Sequence, residues 1–113
     1  MLNNLLSMSD IKTVKVTHEM IKELKLYRDI YYVLMAFNGI DGGSVLDAIA
    51  AHALINPSEH VSSIASIAVK DDASITFEGA EVKGTRVALQ HAGSAKSYGY
   101  LVGSDSTVYY KEH

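Results

Sequence analysis

The 113-residue chain contains no cysteine and no tryptophan, and it has a single proline. The absence of cysteine excludes disulfides, thiolate metal sites and thiol nucleophiles, and it is typical of proteins in a reducing compartment. We therefore expect a cytoplasmic protein. The first residues have neither a basic segment nor a sustained apolar stretch, so we expect no secretion signal.

Long apolar runs are also missing. The longest one, residues 30–37, is far shorter than the roughly 20 residues that a membrane-spanning helix needs, so we expect no membrane association. The chain is 48% apolar and 20% charged, which is close to the globular average, and its length fits one domain. We predict a single domain over residues 1–113, in which residues 1–10 are a candidate disordered segment.

Positive charge is scarce in the middle of the chain. Ten Lys and Arg stand against thirteen Asp and Glu, and no Lys or Arg lies between Arg28 and Lys70. Nucleic-acid-binding proteins usually bring several cations to the phosphates. The charge pattern therefore disfavours nucleic acid and favours a protein partner. The surplus of apolar residues in the same segment favours a homo-oligomer, most simply a two-fold dimer.

Three helices are predicted in the first part of the chain. Thr17 is a good N-cap for the first, and Ser44 opens the second. The sequence from Asn56 to Glu59 combines a cap, a proline at the first helical position and a capping-box acid, which predicts the third. The three helices are placed at about residues 17–38, 44–55 and 57–69.

The hydrophobic period changes from helical spacing to two after about residue 73, which predicts a β meander over residues 73–112. Short turns such as Glu78-Gly79 make neighbouring strands antiparallel. The predicted fold class is therefore α+β, with three N-terminal helices packed on a C-terminal antiparallel sheet of four or five strands.

No motif in the sequence indicates catalysis or metal binding. The Gly-x-Ser-x-Gly pattern of nucleophilic serines is absent from the sequence, and no Ser-x-x-Lys pattern lies within a predicted helix, where it would place an amine one turn from a hydroxyl. His52 and His60 flank the Asn-Pro turn without the spacing of a helical zinc site, and we place His52 on the outer side of its helix. We expect a protein that is not an enzyme and has no catalytic residues, bound metal or cofactor.

The favoured function is a non-enzymatic binding or inhibitory module that acts through protein contacts, a description common among phage or mobile-element accessory proteins. Seven tyrosines suit such a role, because an aromatic hydroxyl offers a large contact area and a hydrogen bond. Arg86 and Lys83, on a neighbouring strand, can add an anion-binding element to the tyrosine face. The candidate partner-binding residues are Tyr31, Tyr32, Glu59, His60, Arg86, Tyr98, Tyr100 and Tyr109.

Two alternatives remain open from the sequence. The first is a DNA-binding regulator resembling a winged helix-turn-helix, with helices at 44–55 and 57–69 as the DNA-reading pair. The second is a small ligand-binding protein or enzyme whose pocket lies at an oligomer seam. Its candidate residues are His52, His60, Tyr98 and Arg86.

Overall fold

The structure is a computed structural model that describes residues 11–23, 42–58 and 60–111. Within these ranges, no helix has the length and apolar character needed to cross a bilayer. The elements in chain order are β1 (Ile11–Lys15), α1 (His18–Glu23), α2 (Gly42–Ile55), a 3-10 turn (Val61–Ser63), β2 (Ile64–Phe77), β3 (Ala80–His91), β4 (Ser97–Val102) and β5 (Thr107–Lys111).

The five strands form one antiparallel sheet in the order β1-β5-β4-β3-β2. Strands β2 to β5 are a meander, in which each strand pairs with the next one in the chain. Strand β1 pairs with β5, with Ile11 opposite Lys111 and Lys15 opposite Thr107. Because β1 and β2 lie at opposite edges, the chain between them must pass from one edge of the sheet to the other.

Helix α2 packs on one face of the sheet, which we call the inner face, and contacts β3, β4 and β5. Three alanines on the helix, at positions 48, 50 and 51, are fully buried, and side chains this small let a helix approach a sheet closely. Val87, Leu89 and Val108 complete the core from the sheet side with no exposed surface. The opposite face of the sheet is called the outer face.

The predicted arrangement of three helices on a sheet is wrong. The described residues contain two α-helices, of which only α2 exceeds two turns, and strands make up most of the structure. Residues 57–69 do not form a helix: Pro57 and Ser58 lie in a turn, one 3-10 turn follows, and β2 begins at Ile64. The cap-like pattern at Asn56 precedes a turn rather than a helix.

A β-bulge lies at the start of β2. Ile64 pairs with His91 and Ser66 pairs with Gln90, so Ala65 is an extra residue in β2. The extra residue puts Ile64 and Ile67 on the same face of the sheet although they are three positions apart. That spacing is typical of a helix in a sequence without bulges.

Residues 57–69 also lack the recognition helix that the helix-turn-helix interpretation placed there. This segment contains a turn, one 3-10 turn and the start of β2, which pairs with β3. The pair of helices at 44–55 and 57–69 therefore does not exist in this fold.

The remaining boundaries agree in part with the sequence. Thr17 caps α1, because its hydroxyl oxygen accepts a hydrogen bond from the Met20 amide at 3.3 Å. The continuation of this helix to residue 38 lies outside the described residues. Helix α2 begins at Gly42 rather than at Ser44. Strand β1 was not predicted, since no prediction covered residues 11–15.

The β2–β3 hairpin is longer than the rest of the sheet. Residues 85–90 of β3 pair with β4, whereas the hairpin itself continues through residues 73–84. A second bulge follows Lys70, where Asp72 has a φ of 58°, and a bulge bends the strand that carries it. The hairpin therefore extends past β4 and changes direction as it does so.

The end of the hairpin folds over the outer face. Glu78 and Gly79 form its turn with φ values of 52° and 79°, as a type I′ turn requires. The Phe77 ring at the end of β2 lies 5.3 Å from the Tyr109 ring on β5, measured between centroids. Since β5 is three strands away from β2 in the sheet, this contact shows how far the hairpin curls.

Gly84 marks the point where β3 leaves β4, and a substitution there tests how closely the two strands approach. A Cβ built at Gly84 overlaps the carbonyl oxygen of Val102, which belongs to the backbone and cannot rotate away. We expect Gly84→Ala to lower the free energy of unfolding by about 1–3 kcal/mol in urea denaturation. Gly99→Ala is the matched control, because its Cβ meets nothing closer than 3.5 Å. A control as damaging as Gly84→Ala would contradict the close approach.

Candidate functional site

The outer face carries a row of side chains that crosses four strands. Directly opposed residues in antiparallel strands share a face of the sheet. The register aligns Lys70 with Arg86, Arg86 with Leu101, and Leu101 with Tyr109. Leu101 is only 3% exposed, although it points away from α2, so the outer face has an apolar centre of its own.

The curled hairpin turns this face into a cleft of about 660 Å³, which we call the outer cleft. Ile75 on the hairpin and Leu101 and Tyr109 on the sheet supply its apolar lining. Phe77 meets Tyr109 nearly edge to face, at an interplanar angle of 68°, which is a favourable aromatic geometry. The hairpin and the sheet are thus joined across the cleft by aromatic contact.

Three cations line the same cleft. Lys70, Arg86 and Lys111 line it together with one carboxylate, that of Asp72. No carboxylate of the described residues forms an ion pair with any of the three cations. The absence of a side chain at Gly99 leaves room for the Arg86 guanidinium, whose Nη2 lies 3.5 Å from the position that a Cβ would take. The outer cleft therefore combines a positive rim with an apolar floor.

Lys83 does not belong to this group, which corrects its predicted pairing with Arg86 on one face. Residues three apart on a regular strand point to opposite faces. Lys83 lies 3.9 Å from the carboxylate of Glu81, and both line a different depression that also includes Asp71. Arg86 is left with Lys70 and Lys111 as its cationic neighbours.

The candidate partner-binding residues fall into four groups. Arg86 and Tyr109 line the outer cleft, as sequence analysis allowed. Tyr98 and Tyr100 are buried in the core, at 5% and 1% exposed. His60 is exposed ahead of the 3-10 turn. Tyr31, Tyr32 and Glu59 lie outside the described residues.

The inner face holds a second polar feature, a buried chain of hydrogen bonds centred on His52. Nδ1 of His52 lies 2.5 Å from the Tyr100 hydroxyl, and Nε2 lies 2.8 Å from Nε2 of His91. Nδ1 of His91 lies 2.5 Å from the Ser63 hydroxyl. The Ser63 hydroxyl also lies 2.8 Å from the carbonyl oxygen of His60. His52 is fully buried and His91 is 5% exposed.

One placement of protons satisfies the whole chain. The His60 carbonyl can only accept, so Ser63 donates to it and must accept from Nδ1–H of His91. Nε2 of the neutral His91 then accepts from Nε2–H of His52, and Nδ1 of His52 accepts from the Tyr100 hydroxyl. Both histidines are neutral in this arrangement, with opposite tautomers.

Two independent observations support this direction of the chain. The side-chain amide nitrogen of Asn56 lies 3.3 Å from Nδ1 of His52 and 3.5 Å from the His52 carbonyl oxygen. An amide nitrogen only donates, so Nδ1 of His52 must be an acceptor. Burial raises the pKa of Tyr100 above its usual value, and Tyr98 and Tyr110 add to the shift. Tyr100 therefore keeps the proton that this arrangement has it donate to Nδ1 of His52.

Sequence analysis missed this chain and placed His52 wrongly on the outer side of its helix. A signal was available for both histidines. His52 follows Val45 and Ile49 by seven and three positions, which continues the buried stripe of α2. His91 continues the alternation of Val87 and Leu89 on β3, which places it on the inner face.

Known proteins offer no direct assignment for either feature. No family model matches the chain, and neither a curated protein nor a solved structure shows significant similarity to it. Within residues 11–23, 42–58 and 60–111, no three metal-ligating side chains are grouped to hold an ion. The outer cleft and the buried chain of hydrogen bonds are therefore the features from which a function can be proposed.

Removal of one hydroxyl tests the buried chain. Tyr100→Phe takes away the donor to Nδ1 of His52 and leaves a buried acceptor with only the longer Asn56 contact. We expect the free energy of unfolding at pH 7.5 to fall by about 1–3 kcal/mol. Tyr109→Phe, on the outer face, is the matched control and should change it by less than about 0.5 kcal/mol. Equal effects of the two changes would show that the Tyr100 hydroxyl does not donate a hydrogen bond to His52.

Proposed function

We propose that this protein is a non-enzymatic binding module whose working surface is the outer cleft, and that the cleft takes a short acidic segment of a partner protein. The observation that supports this function most strongly is the placement of Arg86, Lys70 and Lys111 around an apolar floor. Cations that form no ion pair within the described part of the chain are available to carboxylates from outside it.

Arg86 is the central element of the proposed site. A guanidinium can hold a carboxylate through two parallel hydrogen bonds, which fixes direction as well as charge. Its position between Lys70 and Leu101 in the row puts a charged contact beside an apolar one. A segment that alternates acidic and apolar side chains matches this arrangement.

The apolar floor supplies the second part of the binding energy. Ile75 and Tyr109 line the cleft and offer apolar surface to a side chain of the partner, above the nearly buried Leu101. Aromatic and arginine side chains together are typical of the residues that dominate protein interfaces. These features favour a protein segment over a simple inorganic anion.

A peptide is favoured over nucleic acid by charge. Three cations around one carboxylate form a small positive area on a chain whose net charge is −3, whereas nucleic-acid sites usually extend over many phosphates. The predicted dimer remains a prediction, and so does a role as an accessory or inhibitory protein.

The proposed site is tested with a capped eight-residue peptide that alternates glutamate and phenylalanine. We expect saturable binding by fluorescence anisotropy, and we expect Arg86→Gln to weaken it about ten- to hundredfold, as the loss of a charge-assisted contact implies. Lys83→Gln is the matched control, since it removes the same charge from the same strand outside the cleft. This control should bind like the unaltered protein.

Three results would contradict the proposal. The first is equal binding by Arg86→Gln and Lys83→Gln. The second is equal affinity for a peptide with lysine in place of glutamate. The third is tighter binding of a single-stranded ten-nucleotide DNA, which would assign the cleft to phosphates instead.

A further inference from the structure

The chain of hydrogen bonds around His52 joins parts of the fold that the sheet does not hold together. It links the end of α2 to β4 through Tyr100, and to the end of β3 through His91. Ser63 extends the chain to the 3-10 turn. The Ser63 carbonyl also accepts a hydrogen bond from the Ala92 amide at 2.8 Å. The C-terminal end of α2 and the 3-10 turn are thus attached to the sheet at one place.

We propose that the His52–His91 pair is an acid-sensitive latch, which holds the end of α2 and the 3-10 turn on the sheet at neutral pH and releases them below about pH 6. The inference is independent of the outer cleft. It follows from the proton count of the pair and from its burial.

The space between the two rings holds one proton. The Nε2 atoms of His52 and His91 are 2.8 Å apart, so one must donate and the other must accept. A first added proton can be held only if His52 moves its own proton to Nδ1 and donates it to the Tyr100 hydroxyl, which leaves a buried positive charge. A second added proton points an N–H group at another N–H group. His52 is fully buried, so water cannot compensate while the pair stays closed. Protonation of both imidazoles and the closed arrangement therefore exclude each other.

The described groups that face the pair do not favour a positive charge through an ion pair. Strand β4 presents the Tyr98 ring, 4.7 Å from the His52 ring and 6.1 Å from the His91 ring, and the Tyr100 hydroxyl. Helix α2 presents the Asn56 amide and the 3-10 turn presents Ser63. Lys96 lies over the Tyr98 ring at 5.1 Å, and its charge opposes a second cation nearby.

The direction of the pH effect follows from the proton balance. In the open form both imidazoles reach water, where an imidazole binds its proton near pH 6.5. The closed form holds at most one extra proton and the open form holds two, so acid favours opening. Below about pH 6.5 the opening constant rises roughly tenfold per pH unit for each proton taken up. Above that pH the latch has its full strength.

Two neutral histidines fill this space in a way that depends on pH. Apolar side chains of similar volume can replace buried polar groups without loss of stability, and they would not respond to pH. The histidine pair gives the same attachment a dependence on acidity in the range where only histidine changes charge.

Amide hydrogen exchange of the full chain tests the latch. Between pH 7.5 and pH 5.0, after correction for intrinsic exchange rates, we expect the protection of the Ala92 amide to fall at least tenfold. The Gly103 amide, which donates to Thr107 at 2.8 Å on another part of the sheet, should keep its protection. Unchanged protection at Ala92, or a parallel loss at Gly103, would overturn the proposal.

Two variants separate the pair from the other histidines. His91→Gln keeps a polar side chain but removes a titrating partner, and it should lose most of the pH dependence at Ala92. His18→Gln is the matched control, because His18 is exposed on α1, and it should keep the full acid response. The reverse pattern would overturn the latch.

A measurement on the unaltered protein remains decisive even if His91→Gln does not fold. Long-range proton–nitrogen NMR of the imidazoles at pH 7.5 should show His52 protonated at Nε2 and His91 protonated at Nδ1. On acidification both should become doubly protonated in the same transition that opens Ala92. Identical tautomers at pH 7.5, or a charged member of the pair at that pH, would overturn the proposal.

Discussion

The attachment of α2 to the sheet depends on the hydrogen bonds of one residue, His52, inside an apolar interface. His52 is fully buried, and a buried imidazole is costly unless both nitrogens find partners. Tyr100 and His91 supply them from two neighbouring strands. Hydrophobic contacts between α2 and the sheet tolerate small rotations and shifts of the helix, whereas two hydrogen bonds in different directions do not. The bonds therefore fix how the helix lies on β3 and β4.

The same strands serve two different surfaces because a strand alternates its side chains. On β3, Val87 and Leu89 enter the core, whereas Arg86, which directly precedes Val87, faces outward. On β4, Tyr100 completes the buried chain while Leu101 forms the floor of the outer cleft. A shift of one residue in the register would exchange the two sets. The core and the proposed binding surface are therefore set by one register.

The bulges of β2 shape both surfaces of the protein. The first bulge, at Ala65, aligns the start of β2 with His91. The second, between Lys70 and Ala73, bends the hairpin over the outer face. Neither bulge has a strong signature in the sequence, because each depends on how β2 meets β3. The helix predicted at residues 57–69 came from the cap pattern at Asn56, which gave no sign of the bulges, and the sequence could not predict the cleft that the second bulge forms.

The candidate site was predictable in its residues but not in its grouping. Arg86 and Tyr109 were singled out by charge and by aromatic character, and both line the outer cleft. Lys70 and Lys111 lie in the same cleft only because of strand pairing across the sheet. Lys83 lies outside the cleft because alternate residues of a strand point to opposite faces. The two histidines had the periodicity of buried residues. Their contact was hidden, since 39 positions separate them in the chain.

Local chemistry in the sequence determined what depends on neighbouring residues: the cap at Thr17, the apolar stripe of α2, the Glu78-Gly79 turn and the alternation of the later strands. The tertiary structure alone decided what depends on distant partners. These features are the strand at residues 64–69, the pairing of β1 with β5, and the meeting of His52 with His91. Capping and turn formation involve atoms a few bonds apart, whereas sheet register and burial are settled only when the whole chain packs.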